Sequence, residues 1–267
     1  MPAREDADLA LLGAAAREAG AIAMRYFSRD PRSWTKEDDS PVSEADLAVD
    51  AFLKETLTGA RPDFGWLSEE SADNEERLSR EHVFVVDPID GTRSFLAGRD
   101  EWCIAIGIVT GNSARSGVVY NPVREEFYEA RRGGGTLLNG DPLAIAEHRG
   151  GAVRIASSKS ALEGLPAAGG GVVFDRRYVA SLAYRFARVA AGEFDATVTS
   201  GHCRDWDLAA AMLLVEEAGG VVERRDGSPL LLNARSVRQP PILAGSAGIV
   251  DFLGGDSAET QSRRRSR

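Results

Sequence analysis

The chain is short of the residues that build soft metal sites and covalent cross-links. It has two cysteines, Cys103 and Cys203, among 267 residues. That supply makes no disulfide framework, and the spacing fits no zinc motif. Three histidines, His82, His148 and His202, are too few for a histidine-rich centre. Any metal here must be held by oxygen, which favours a hard ion such as Mg²⁺. Long apolar runs are missing too: none approaches the roughly 18 residues that cross a bilayer. Residues 1–8 are acidic and lack the apolar stretch of a signal peptide, so a cytoplasmic location is expected. Basic charge is in deficit, with a formal net charge of −9. Nucleic-acid binding, which needs a basic face to displace counterions, is not expected. The one basic cluster, Arg263-Arg264-Arg265-Ser266-Arg267, reads as a solvated tail over 254–267. Weak peripheral contact with anionic lipid is its minor reading.

What is present is an ordinary folding chain, 43% hydrophobic and 27% charged, long enough for a large core in one or two domains. Leu9, Leu12, Ala16, Ala19, Ala23 and Tyr26 recur at helical steps and predict a helix over 5–28. A second helix is expected from Ser43, closed by Gly59, with Val49, Phe52, Leu53 and Leu57 on one face. Val83-Phe84-Val85-Val86 reads as a buried strand ending at Asp87. Strands over 104–109, 117–120, 126–130 and 136–138 follow, the middle two forming a hairpin across Asn121-Pro122. A boundary is expected at 147–152, separating an N-terminal α+β half (1–146) from a C-terminal α/β half (147–253). The second half is expected to hold strands at 153–156, 172–174, 196–198, 221–223 and 242–244. A loop is expected over Gly164–Gly171, and helices near 177–191 and 207–218. Gly133-Gly134-Gly135 lacks the Lys-Ser/Thr of a nucleotide-binding loop and reads as a hairpin turn. Cys103 reads as core.

The chemistry concentrates in carboxylates. Asp87 and Asp90 flank Pro88-Ile89, so one stiff turn aims two carboxylates and the Ile89 carbonyl at one point, the donor set Mg²⁺ prefers. Gly91-Thr92 is expected to open a short helix whose free amides suit a phosphate. The competing reading is an Asp-rich turn that caps a helix. Further acids stand in Ser43-Glu44-Ala45-Asp46, which is also a capping box, in Leu67-Ser68-Glu69-Glu70, and in Trp206-Asp207.

Together these segments resemble the inositol monophosphatase superfamily of Mg²⁺-dependent, lithium-sensitive phosphatases. The resemblance runs from Lys36 through Val86-Asp87-Pro88-Ile89-Asp90-Gly91-Thr92 and Trp206-Asp207-Leu208-Ala209-Ala210 to Gly220. It implies a layered αβαβα fold of the α/β (α+β) class, two to three Mg²⁺ ions and a small phosphorylated substrate. It further implies that Glu69, Asp87 and the Ile89 carbonyl hold one ion. Asp87, Asp90 and Asp207 would hold a second, with Glu69 helping a third. Asp46 would accept from Thr92, whose hydroxyl orients the attacking water. The Gly91 and Thr92 amides would meet the phosphate, with Lys36 nearby. A homodimer is compatible with the resemblance.

Substrate class is read from departures within the superfamily. Inositol monophosphatases usually carry a glutamate where Ser200 stands, and an acid or amide where Arg185 stands. Arg185, Asp39-Ser40-Pro41-Val42-Ser43 and Cys203-Arg204-Asp205 are closer to the CysQ type. A 3'(2'),5'-bisphosphate nucleotidase acting on adenosine 3',5'-bisphosphate is therefore expected, with Arg185 beside the second phosphate. Its head is expected at the surface, where the alternative is an arginine covering apolar area. Inositol-1-monophosphatase and histidinol-phosphate phosphatase remain the enzymatic alternatives. A phosphatase-like regulatory binding protein is the non-enzymatic one.

Overall fold

The computed structural model describes residues 2–37, 39–163, 165, 173–226, 228 and 230–254. The expected loop over 164–171, apart from Leu165, and the basic tail lie outside them. In chain order the elements begin with α1 (Pro2–Tyr26), β1 (Ser33–Thr35), β2 (Pro41–Ser43), α2 (Glu44–Ala60), β3 (Gly65–Ser68) and β4 (His82–Asp90). There follow α3 (Thr92–Leu96), β5 (Cys103–Thr110), β6 (Ser113–Asn121), β7 (Glu126–Arg131), β8 (Gly135–Leu138) and β9 (Asp141–Leu143). The remainder is β10 (Val153–Ser157), α4 (Lys159–Glu163), β11 (Phe174–Arg177), α5 (Leu182–Ala190), β12 (Ala196–Val198), α6 (Asp205–Glu217), β13 (Val221–Arg224), β14 (Ile242–Gly245) and α7 (Ala247–Gly254).

Strands β3 to β9 form a seven-stranded sheet in sequence order, antiparallel except for the parallel β3–β4 pair. A five-stranded mixed sheet runs β11-β10-β12-β14-β13. Helices α1 and α2 cover the outer face of the larger sheet, burying Leu12, Ala16, Val49 and Leu53 against Phe84, Ile104 and Val118. Helices α5 and α6 fill the space between the two sheets, where Phe186, Leu208 and Leu213 share one core with Val85, Val119, Ala156 and Ala244. Helices α4 and α7 close the far face of the smaller sheet through Leu162, Ile249 and Val250. The layers are αβαβα, as expected.

The seating of α6 follows from small residues. A Cβ at Gly117 would lie 2.7 Å from the Ala210 Cα, and one at Gly107 would lie 3.0 Å from the Ala209 Cβ. Two bare strand positions face an alanine-rich helix, so helix and sheet approach closely and their atoms interdigitate.

Several boundaries differ from the sequence reading. Helix α1 spans Pro2–Tyr26, and Gly59 lies inside α2, whose end is capped by the Arg61 amide donating to the Leu57 carbonyl. Asp87 does not end its strand: β4 runs on to Asp90, pairing Asp87 with Ala105 and Asp90 with Cys103 across a register shift. Pro88 has no N–H for the ladder, so the chain bulges there and pairing resumes beyond it. The helix expected over 177–191 is shorter, because Phe174–Arg177 pairs with β10 and Ser181 caps α5. Helix α6 begins at Asp205, which puts Asp207 third in the helix.

Candidate active site

A bulge in β4, rather than a turn, joins Asp87 to Asp90. It carries Asp87, Ile89 and Asp90, all at or below 7% exposure, to the edge of the layer that holds α6. Asp207, in the first turn of α6, meets them there. One carboxylate oxygen from each of Asp87, Asp90 and Asp207 lies within 4.8 Å of the others. Buried acids normally find donors. Both oxygens of Asp87, however, are buried with no hydrogen-bond partner among the described residues. Burial, then the neighbouring Glu69, Asp90 and Asp207, holds the Asp87 carboxyl well above the usual carboxylate range. Burial, then Asp90, does the same to Asp207. Burial pushes Asp90 up to about 6 against donors from Ser181, Ala183 and Leu182. Three such acids converge within 4.8 Å, so a multivalent hard cation fits the donor set.

Glu69 follows β3 and stands at the margin of this cluster. Its Oε1 accepts from Lys36 Nζ at 3.0 Å, and Glu70 Oε1 accepts from the same ammonium at 2.6 Å. Burial disfavours the Lys36 charge, but Glu69 and Glu70 together hold its pKa above the ordinary value. Glu70 itself is pushed up to about 7 by burial.

Thr92 opens α3 behind Gly91, whose φ of 94° is one that glycine adopts without strain. The Thr92 hydroxyl lies 3.2 Å from Asp46 Oδ1 and 3.1 Å from the Ile89 carbonyl. Its one proton can serve only one of them. Given to Asp46, it leaves the Ile89 oxygen free for a cation. Asp46 also completes the capping box of α2, so it caps a helix and faces Thr92 at once. The Gly91 carbonyl takes the amides of Ser94 and Phe95, while the Gly91 and Thr92 amides precede the first bonded turn.

A cavity of 550 Å³ is lined by Lys36, Glu37, Ser40, Glu69, His202, Arg204, Trp206 and Asp207. The structure thus brings together the Asp87, Asp90 and Asp207 carboxylates, Glu69 with Lys36, and Thr92 with Asp46. Arg185 differs. It is 8% exposed, its Nε donates to the Val179 carbonyl at 2.6 Å, and its guanidinium sits 5.2 Å over the Tyr178 ring. It lines neither this cavity nor the polar one formed by Arg124, Arg177 and Arg188. The expectation of a surface head fails because α5 lies between two sheets, with a buried residue at nearly every position. His202 and Arg204, not singled out as site residues in the sequence, line the cavity instead. Their adjacency to Trp206-Asp207 was the available signal.

The model of the inositol monophosphatase family matches residues 5–248. A Mesorhizobium japonicum protein named inositol-1-monophosphatase is 34% identical over 210 residues, 73% of this chain and 76% of its own. A 3'(2'),5'-bisphosphate nucleotidase CysQ from Aggregatibacter actinomycetemcomitans is 30% identical over 229 residues, 82% and 85% of the two chains. The crystal structure of the extragenic suppressor protein suhB from Bartonella henselae superposes with a TM-score of 0.79 at 30% identity, covering 93% of this chain and 97% of that one. Fold, carboxylate cluster and matched span agree: the chain belongs to the inositol monophosphatase family of metal-dependent phosphomonoester hydrolases.

Proposed function

We propose that this phosphatase is a Mg²⁺-dependent 3'(2'),5'-bisphosphate nucleotidase, converting adenosine 3',5'-bisphosphate to AMP and phosphate. The observation that carries the reading is the make-up of the 550 Å³ cavity, where Glu69 and Asp207 share one space with Lys36, His202 and Arg204. Carboxylates alone suit a cation. A substrate that keeps a second phosphate after cleavage needs further positive groups, and a guanidinium suits it through paired hydrogen bonds.

Asp87, Asp90, Asp207, Glu69 and the Ile89 carbonyl are the groups that would hold Mg²⁺. Bound there, the ion supplies positive charge for the phosphate and acidifies the attacking water. The chain does the rest. Thr92, donating to Asp46, keeps its oxygen lone pairs toward the water and orients it; as the new P–O bond forms, Thr92 takes the water's proton and passes its own to Asp46. Asp46, whose pKa burial raises, holds that hydroxyl in place. The Gly91 and Thr92 amides bind the phosphoryl oxygens. The ester P–O bond breaks as the leaving oxygen is protonated from solvent. Sensitivity to Li⁺ but not Na⁺ belongs to the same reading.

The test is a substrate panel with Mg²⁺: adenosine 3',5'-bisphosphate, inositol 1-phosphate and histidinol phosphate. The highest kcat/KM is expected for the bisphosphate. A higher value for either of the others reassigns the substrate, and turnover of none favours a binding role.

A further inference from the structure

One hydroxyl outside the expected ligand set is tied to the carboxylate cluster. Ser181, fully buried between the sheets, lies with its Oγ 2.8 Å from Asp90 Oδ2. Two other groups point at the same oxygen. The Tyr184 amide donates to it at 3.0 Å as the N-cap bond of α5, and the Cys103 thiol lies 3.3 Å away. A hydroxyl has one proton and two lone pairs. The amide can only donate and so fills one lone pair, while the carboxylate oxygen accepts the hydroxyl proton. The Ala183 amide donates to the same Oδ2 at 2.5 Å.

Asp90 Oδ2 is therefore anchored by both Ser181 and Ala183 at the start of a nine-residue helix, and one Asp90 oxygen lies within 4.8 Å of an oxygen each from Asp87 and Asp207. Close approach makes this geometry available. A Cβ at Gly91 would stand 3.1 Å from the Ser181 Cβ and 2.9 Å from the Glu101 carbonyl. Only a bare backbone lets the strand end press against the helix cap. Asp87, whose two oxygens are buried without a partner among the described residues, is the independent sign that a ligand belongs between it and Asp90.

We infer that Ser181 is a positioning residue of the metal centre: its hydroxyl, set by the Tyr184 amide, fixes the rotamer of Asp90 and so the affinity for the cation. This rests on the reading of Asp90 as a cation ligand. Groups that orient a ligand carboxylate typically alter metal affinity by about 10–100-fold when removed. A cap alone would affect helix stability and leave affinity unchanged.

Mg²⁺ alone is titrated into the full-length protein, and the thermal midpoint is followed at each concentration. This yields an apparent dissociation constant and, separately, the metal-free midpoint. S181A is expected to raise the constant about tenfold or more, and S181T, which keeps the hydroxyl, to leave it near the wild-type value. S181C, with a weaker donor of similar size, carries the same expectation should S181A fail to fold. An unchanged constant with a lowered metal-free midpoint overturns the inference and makes Ser181 a helix cap only. D90N is measured in parallel. If it too leaves Mg²⁺ affinity intact, the metal-centre reading falls and the inference with it; if D90N weakens binding and S181A does not, only the inference falls.

Discussion

Asp46 divides its two oxygens between two tasks: Oδ2 accepts from the Ser43 amide and hydroxyl at 2.8 and 2.6 Å, while Oδ1 faces the Thr92 hydroxyl at 3.2 Å. The rigidity of a helix start is thereby lent to the Thr92 hydroxyl. Thr92→Ala is expected to lower kcat by about 10²-fold, the usual scale for a positioned acid–base group. Mg²⁺ affinity should stay close to that of the parent. The two are separated by initial rates at saturating substrate over a Mg²⁺ series. Collapse of affinity with kcat preserved would make Thr92 a structural cap.

Stability without metal should fall as pH rises. Asp87, Asp90, Asp207 and Glu70 all carry folded-state pKa values above their unfolded ones, with Asp90 at about 6 and Glu70 at about 7. Raised carboxyls stabilise the fold fully below about pH 4, where both states are protonated, and that contribution is lost as pH climbs through 6 and 7. In EDTA the thermal midpoint at pH 5 should exceed that at pH 8. Mg²⁺ should raise the midpoint strongly at pH 8 and little at pH 5, where protons compete for the same oxygens. Equal responses at both pH values would remove the cluster as the source of strain.

The two arginines near the site should behave differently. Arg204→Ala is expected to raise KM for adenosine 3',5'-bisphosphate by an amount worth roughly 1–3 kcal/mol, typical of a hydrogen bond to a charged group. Inositol 1-phosphate turnover should be nearly untouched. Arg185→Ala leaves the Val179 carbonyl without its donor and a void under Tyr178, so it should lower the thermal midpoint and affect both substrates alike. An Arg204→Ala loss shared equally by the two substrates would argue against the nucleotidase assignment.

Gly117→Ala should damage the active site from a distance. The added methyl lies 2.7 Å from a helix Cα, and such overpacking costs about 1–3 kcal/mol. Helix α6 must shift, and Asp207 with it, so kcat/KM should fall together with the midpoint. Gly59→Ala is the matched control. It meets nothing within 4 Å inside α2, and should stabilise by up to about 1 kcal/mol through helix propensity, with activity unchanged. Loss of activity in both variants would point to a general effect of alanine rather than to the α6 contact.

The carboxylates were legible because metal chemistry restricts residue types and because Asp87, Ile89 and Asp90 act within four positions of one strand. Secondary structure was legible where one face is apolar, as in α1, or where a short run is apolar throughout, as in β5. The Ser181–Asp90 contact was not, since 91 positions separate the pair and a serine before a helix looks the same whether it caps or also reaches a ligand. Arg185 was misplaced for a related reason. Charge predicts exposure, but the layer α5 lies in is decided by the two sheets around it. The strand bulge was hidden because Asp-Pro ordinarily signals a turn, and only pairing with Cys103 beyond it keeps the chain in the sheet.

The close seating of α6 on Gly107 and Gly117 also has a temporal consequence. During synthesis the seven strands that carry Asp87 and Asp90 emerge well before Asp207, and early-made regions begin folding first. Until α6 docks, that half-built centre has two of its three clustered acids and little hold on a cation. A cation held by the cluster would then be captured after the layers close and would act as a latch on a finished assembly, its binding free energy added to the contact between helix and sheet. Amide exchange in α6 should slow on adding Mg²⁺ more than exchange in α1, which lies on the opposite face of the same sheet.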